Sequence, residues 1–127
     1  MHTLVEAVRT GATNPELGGA VDVVLRPALA ATVLDVLDAD AYILATPANL
    51  GYMAGALKHF FDTIYYPCLD ATVGRQYGLL VHGNDDVTGA VNGVERIVAG
   101  LRWRTVTGVV AAVGAPSTAD TDACWEL

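Results

Sequence analysis

The feature that most restricts this chain lies at residues 41–66, where the spacing of apolar residues changes period. Residues 41–46 (AYILAT) form a continuous apolar run, as in a strand buried on both faces. Pro47 cannot donate to a ladder and is expected to end it. Beyond a short loop, Met53, Ala56, Leu57, Phe60 and Ile64 recur at i, i+3, i+4, i+7 and i+11. That spacing puts them on one face of a helix predicted over residues 52–65. A strand leading through a loop into an amphipathic helix is the unit from which parallel sheets are assembled, because the helix carries the chain back across the sheet.

The rest of the sequence repeats the alternation. Residues 3–11 read as a helix, with Thr3 and Glu6 in capping-box spacing and Gly11 as a stop. Residues 13–19 read as a loop, and residues 20–26 as a β-rich run ended by Pro27. A short helix follows over residues 32–39, again with a cap pair, Thr32 and Asp35. Residues 76–82 read as a strand, and residues 83–86 as a polar turn. Val87, Val91, Val94, Val98 and Leu101 then mark a second amphipathic helix, with Arg102 and Arg104 suited to its negative end. Residues 105–113 read as the last strand, and Ser117 with Asp120 opens a helix that runs to the end of the sequence. The order is α-β-α-β-α-β-α-β-α, which with 127 residues predicts one α/β domain over residues 1–127. An apolar fraction of 53% against 17% charged residues fits a sheet covered on both faces.

The formal charge of −7 repels phosphate backbones and anionic lipid, so neither nucleic acid nor membrane is expected as a partner. The arginines form no stripe: Arg9, Arg26, Arg75 and Arg96 are scattered, and only Arg102 and Arg104 are close. Cys68 and Cys124 follow no metal spacing, and two thiols without a disulfide pattern suggest the cytoplasm. No charged and apolar leader opens the sequence, and no apolar run reaches the roughly 18 residues of a membrane span. His82, Asp85 and Asp86 are neighbours in one turn, a placement that rarely converges on a metal ion, so no metal is expected. Cys68 follows Pro67 with no adjacent base and reads as a structural thiol. Lys58 and Asp62 stand four apart on the main helix and can pair, although Lys before Asp is the weaker orientation.

Taken alone, residues 46–51 read as an ordinary strand-to-helix connection with Asn49 as a turn residue. The whole stretch AYILATPANLGYMAGALKHFFDTIYY, however, resembles the strand, flavin loop and helix of the NADPH-dependent FMN reductases and their flavodoxin-like relatives. The residues that carry the likeness are Thr46, Pro47, Asn49, Gly51, Tyr52, Gly55, Leu57, Lys58 and Asp62. The resemblance implies a three-layer, flavodoxin-like α/β fold: a parallel sheet with helices on both faces. It also implies FMN as cofactor and NAD(P)H as co-substrate. The activity implied is transfer of a hydride from nicotinamide to flavin and on to a quinone or flavin acceptor, in a homodimer or higher homo-oligomer.

In such folds ligands bind outside the carboxyl ends of the strands. The implied cofactor-binding residues are Thr46, Pro47, Ala48, Asn49, Leu50, Gly51 and Tyr52 for the flavin ring, with His82, Gly83 and Asn84 on its other side. Pro47 stiffens the turn, Gly51 admits close backbone approach, and the Asn49 amide can both donate and accept at a ring edge. Tyr52 or Met53 can pack on the ring. No residue is assigned a catalytic proton-transfer role. Phe61, Tyr65 and Tyr66 form a candidate subunit contact.

The sequence departs from the family at both ends. The first strand and most of the phosphate loop are absent, leaving Thr3 as the remaining hydroxyl of that loop, and the last helix is clipped at Leu127. Without a central strand, residues 20–26 and 41–46 must pair with each other, take a strand from a partner, or belong to a longer chain. Two alternatives stand beside the reductase: a non-enzymatic electron carrier whose acidic surface docks a basic partner, and a cofactor-free interaction subunit that keeps the fold but has lost the phosphate loop.

Overall fold

A computed structural model describes residues 23–83, 86–105 and 109–113, together with residue 5. The elements in order are α1 (Val33–Asp38), β1 (Ala41–Asn49), β2 (Tyr52–Met53), α2 (Gly55–Cys68), β3 (Gln76–Gly83), α3 (Thr88–Leu101), β4 (Arg104–Thr105) and β5 (Val110–Val113). Apart from residue 5, the helix expected over residues 3–11 lies outside the described residues, as do the one expected from Ser117 onward and residues 20–22. Residues 23–26 carry no strand, and Val23, Val24 and Leu25 are exposed. A β-prone sequence becomes a strand only where a neighbour takes its backbone bonds, and this run has no such neighbour among the described residues.

β3 is the centre of the sheet. β1 runs parallel to it from Ala41 opposite Gln76 to Pro47 opposite His82, and β4 and β5 pair with its other edge, also parallel. Successive side chains of a strand point to opposite faces. Tyr42, Leu44, Tyr77, Leu79 and Val81 therefore share one face, where they join one apolar cluster with Val36 of α1, Leu57, Phe60, Phe61 and Ile64 of α2, and Val94, Val98 and Leu101 of α3. The opposite face is covered only in part by the described residues: Leu80 of β3 is fully buried there, whereas Ile43 and Ala45 of β1 are exposed. The fold is thus α/β, with α1, α2 and α3 packed on a sheet whose main strands are parallel. No helix among the described residues is long and apolar enough to cross a membrane.

The amino ends of the strands are locked by polar groups. α1 starts in a complete capping box: the Thr32 hydroxyl accepts from the Asp35 amide and the Asp35 carboxylate accepts from the Thr32 amide. At its other end, one terminal nitrogen of Arg75 lies 2.8–3.0 Å from the carbonyls of Val36, Leu37 and Ala39 and from the Tyr42 hydroxyl. Two hydrogens serve four acceptors, so these bonds are shared. Tyr42 in turn donates to the Val36 carbonyl and stacks on Trp103 at 4.2 Å. Trp103 donates to the buried Thr72 hydroxyl, which donates to the Cys68 carbonyl. Burial pushes the Tyr42 hydroxyl and the Cys68 thiol above their ordinary pKa values.

Two boundaries differ from the sequence expectation. β1 continues through Pro47 to Asn49, since a proline disrupts a ladder only where its nitrogen faces the neighbouring strand. The main helix begins at Gly55, three residues after the expected start, because Tyr52 and Met53 form a strand antiparallel to Ala48 and Asn49. Met53 is still a core residue, but it enters the core from that strand. Arg102, placed by its charge near a helix end, closes α3 as a left-handed C-cap, with its amide bonded to Val98 and Ala99.

Candidate functional site: the carboxyl rim of the sheet

Residues 48–53 build a two-residue β-hairpin, with Leu50 and Gly51 as its turn. Both turn residues have positive φ, +50° and +77°, as a type I′ turn requires. Gly51 adopts that conformation without a Cβ penalty, but Leu50 does not, and left-handed geometry costs a non-glycine residue roughly 1–2 kcal/mol. Leu50 is also fully exposed. A strained, solvent-facing leucine at the tip of a hairpin contributes nothing to the core, so the observation asks for a role outside it.

Thr46 closes the base of the hairpin. Its side chain is fully buried, and its hydroxyl accepts from the Ala54 amide at 2.9 Å and donates to the Pro47 carbonyl at 2.8 Å. That first bond caps an orphan donor at the start of α2, whose N-cap residue, Ala54, has no side chain able to do so. The Thr46 side chain is therefore an internal tie and does not reach the rim.

The hairpin is seated on α3 through two glycines one turn apart. A Cβ on Gly89 would fall on the Gly51 carbonyl oxygen, and one on Gly93 would fall on the Tyr52 ring. This pair was not singled out from the sequence, although three glycines spaced through an otherwise good helix are the signal for close approach. On the other side, Gly83 at the end of β3 comes against the loop: a Cβ there would lie 3.0 Å from the Ala48 Cβ and 3.0 Å from a Val87 methyl. The two loops predicted to flank one ligand thus meet at the same end of the sheet.

The rim exposes Asn49, Leu50, Gly51 and Tyr52, with Pro47, Ala48 and His82 half-buried behind them and Gly83 buried. The Asn49 side-chain amide makes no hydrogen bond among the described residues. Beyond Gly83, the Asp86 carboxylate accepts from the Thr88 amide and hydroxyl, which holds its pKa below the ordinary carboxylate value and starts α3. Thr3 and Asn84, the remaining expected ligand residues, lie outside the described residues. On the outer surface, Lys58 pairs with Asp62 at 2.7 Å, which raises the lysine pKa. Of the expected subunit-contact residues, Tyr66 is exposed, whereas Phe61 is in the core and presents no surface.

The exposed rim thus presents an apolar side chain at Leu50, an aromatic one at Tyr52, and an Asn49 amide that makes no hydrogen bond among the described residues. No family model matches the sequence, and no curated protein matches it. Solved structures do match the fold. A flavodoxin from the domain Archaea superposes with a TM-score of 0.81 at 14% identity, over 98% of this chain and 82% of that one. A WrbA-like flavodoxin from Agrobacterium tumefaciens gives 0.76 at 17% identity, over the same shares. An NADH:FMN oxidoreductase in its apo form gives 0.60 at 22% identity, over 95% of this chain and 61% of that one. The fold of this chain is flavodoxin-like.

Proposed function

We propose that this protein binds FMN at the carboxyl rim of its sheet and acts as an NAD(P)H-dependent oxidoreductase of the FMN or quinone reductase type. The observation that carries the reading is the hairpin tip, where a strained and fully exposed Leu50 stands beside a partly exposed Tyr52 and an Asn49 amide that makes no hydrogen bond among the described residues. Asn49 would bond the polar edge of the isoalloxazine ring, and the open backbone at Gly51 admits its close approach. Leu50 and Tyr52 would exclude water from the ring. FMN, when bound, supplies the hydride and electron chemistry; the chain orients it and sets its surroundings. Among solved structures of this fold, one is described as an NADH:FMN oxidoreductase and another as an NADPH-quinone reductase, which favours the reductase reading.

The net charge of −7 favours a second reading, an electron carrier that docks on a basic partner. One experiment separates the two. FMN is titrated into the purified protein by flavin fluorescence, and NADH or NADPH oxidation is then followed with a quinone present. Saturable quenching with turnover supports the reductase. Quenching without turnover leaves the carrier, and no quenching rejects both in favour of a cofactor-free interaction subunit.

A further inference from the structure

We infer that the groove between α2 and α3 holds the phosphorylated part of a dinucleotide, with Arg96 and Lys58 as its cations, an inference that rests on the oxidoreductase reading above. The groove is two adjoining hollows. One, of about 310 Å³, is lined by Tyr52, Lys58, Asn92 and Arg96 above the two glycines of α3 that seat the hairpin. The other, of about 210 Å³, shares Lys58 with it and adds Tyr65 and Tyr66. Aromatic rings therefore stand at both ends with cations between them. A dinucleotide has the matching layout, planar groups at its ends and phosphates in the middle.

The charge distribution supports the assignment. The chain has 7 basic residues against 14 acidic ones, so cations are scarce. Several are already engaged: Arg26 faces Asp35, Arg75 holds the end of α1, and Arg104 donates to the Gly74 carbonyl. Lys58, the one lysine of the sequence, and Arg96 line the same hollow. Arg96 makes no hydrogen bond or ion pair among the described residues, which leaves its planar donor fork for a phosphate. At about 1.5 Å of rise per residue, Arg96 lies about 10 Å along α3 from Gly89, where the hairpin touches the helix. A dinucleotide with its nicotinamide at the rim spans that distance with its phosphates on the groove. Asp62 opposes the binding, because it occupies Lys58 and adds a negative charge to the groove wall.

Adenosine 2′,5′-bisphosphate is the probe, titrated by calorimetry and by shifts of the arginine side-chain N–H signals in 15N spectra. Binding is expected to shift the Arg96 signal, to weaken about tenfold in Arg96→Gln, and to tighten severalfold in Asp62→Asn. Arg104→Gln, away from the groove, is expected to change nothing. Opposite effects at two surface positions are not produced by a loss of folding, which circular dichroism checks. The inference is overturned if neither Arg96→Gln nor Asp62→Asn alters binding. It is overturned equally if inorganic phosphate binds as tightly as the nucleotide, since the aromatic ends then contribute nothing. Wild-type FMN titration is run alongside: a protein that takes FMN but not the nucleotide defeats this inference alone, and one that takes the nucleotide but not FMN defeats the flavin reading alone.

Discussion

Replacing Gly89 by alanine tests whether close backbone packing sets the position of the rim. In an unobstructed helix the change would stabilise by up to about 1 kcal/mol, and by less in the first turn, where Gly89 lies. Here the added methyl falls on the Gly51 carbonyl oxygen. That obstacle is backbone, so no rotamer change relieves it, and the hairpin must lift from α3. Overpacking of this kind costs about 1–3 kcal/mol, with the upper half of the range expected because the turn already carries the strain of Leu50. The net expectation is a loss of about 1–2 kcal/mol. Urea unfolding reads it as a lower midpoint at unchanged slope. FMN affinity is expected to fall with it, because Asn49 and Tyr52 move with the hairpin.

Gly93→Ala provides the contrast. Its obstacle is the Tyr52 ring, which is 40% exposed and can swing outward, so the cost is smaller and the net change near zero. In a Tyr52→Ala background the obstacle is gone, and Gly93→Ala should then stabilise by about 1 kcal/mol. A sign that depends on Tyr52 at position 93 but not at position 89 is the signature of ring contact in one case and backbone contact in the other. If Gly89→Ala stabilises the protein and leaves FMN affinity unchanged, the hairpin is not seated as described.

Leu50→Asn should raise stability by roughly 0.5–1 kcal/mol in urea unfolding, because asparagine tolerates the left-handed conformation that leucine does not, and weaken FMN binding through the lost apolar contact. Thr46→Val should cost about 1–3 kcal/mol by stranding the Ala54 amide, whereas Thr46→Ser keeps the hydroxyl and most of the stability; thermal melts of both variants decide it. Arg75→Met leaves the α1 carbonyls and the Tyr42 hydroxyl without their shared donor, and a double-mutant cycle with Tyr42→Phe should show coupling of about 0.5–3 kcal/mol. The Asp86 carboxylate, lowered by its two bonds from Thr88, should titrate in carbon-detected spectra below its ordinary value of 3.8 and move back toward it in Thr88→Val. A depressed acid stabilises fully above its unfolded pKa and loses that contribution as pH falls through the folded one, so any ionisation-dependent effect of Asp86→Ala on melting temperature should be constant well above the ordinary value of 3.8 and fade as the pH drops below it through the folded value.

The elements most legible in the sequence are those whose signals are local. The Thr32 and Asp35 pair announced a capping box that forms in full, and the β3 run and the α3 valines fell within a residue or two of their observed limits. The hairpin was hidden because its turn breaks the usual rule: Gly51 signals a positive φ, but Leu50 in the position before it does not. Helical periodicity then absorbed Met53, which is buried from a strand as readily as from a helix. The placement of Thr46 was invisible for another reason. A threonine at a strand end reads equally as a ligand group or a cap, and only the fold brings the Ala54 amide to its oxygen. Arg75 likewise looked like a stray charge, since its four acceptors lie more than thirty residues earlier in the chain.

The two ends of the sheet divide the work of this protein. At the amino end, Arg75, Tyr42, Thr72 and Trp103 are bonded to one another and to the helix ends, and no described buried side-chain polar atom lacks a partner. That end is built for stability. At the carboxyl end, the chain holds a strained Leu50 in solvent, presents an Asn49 amide that makes no hydrogen bond among the described residues, and seats the neighbouring Gly51 and Tyr52 on glycines of α3 that leave no room for a side chain. Each of these features costs free energy that a purely structural loop would not carry, and a shorter connection from β1 to α2 would avoid all of them. The Thr46 tie and the Gly89 contact hold the tip in place despite that cost. A rigid, uncomfortable, solvent-facing tip at the ligand edge of a flavodoxin-like sheet is explained if a planar ring lies against it, and the cost is then recovered when the ring binds.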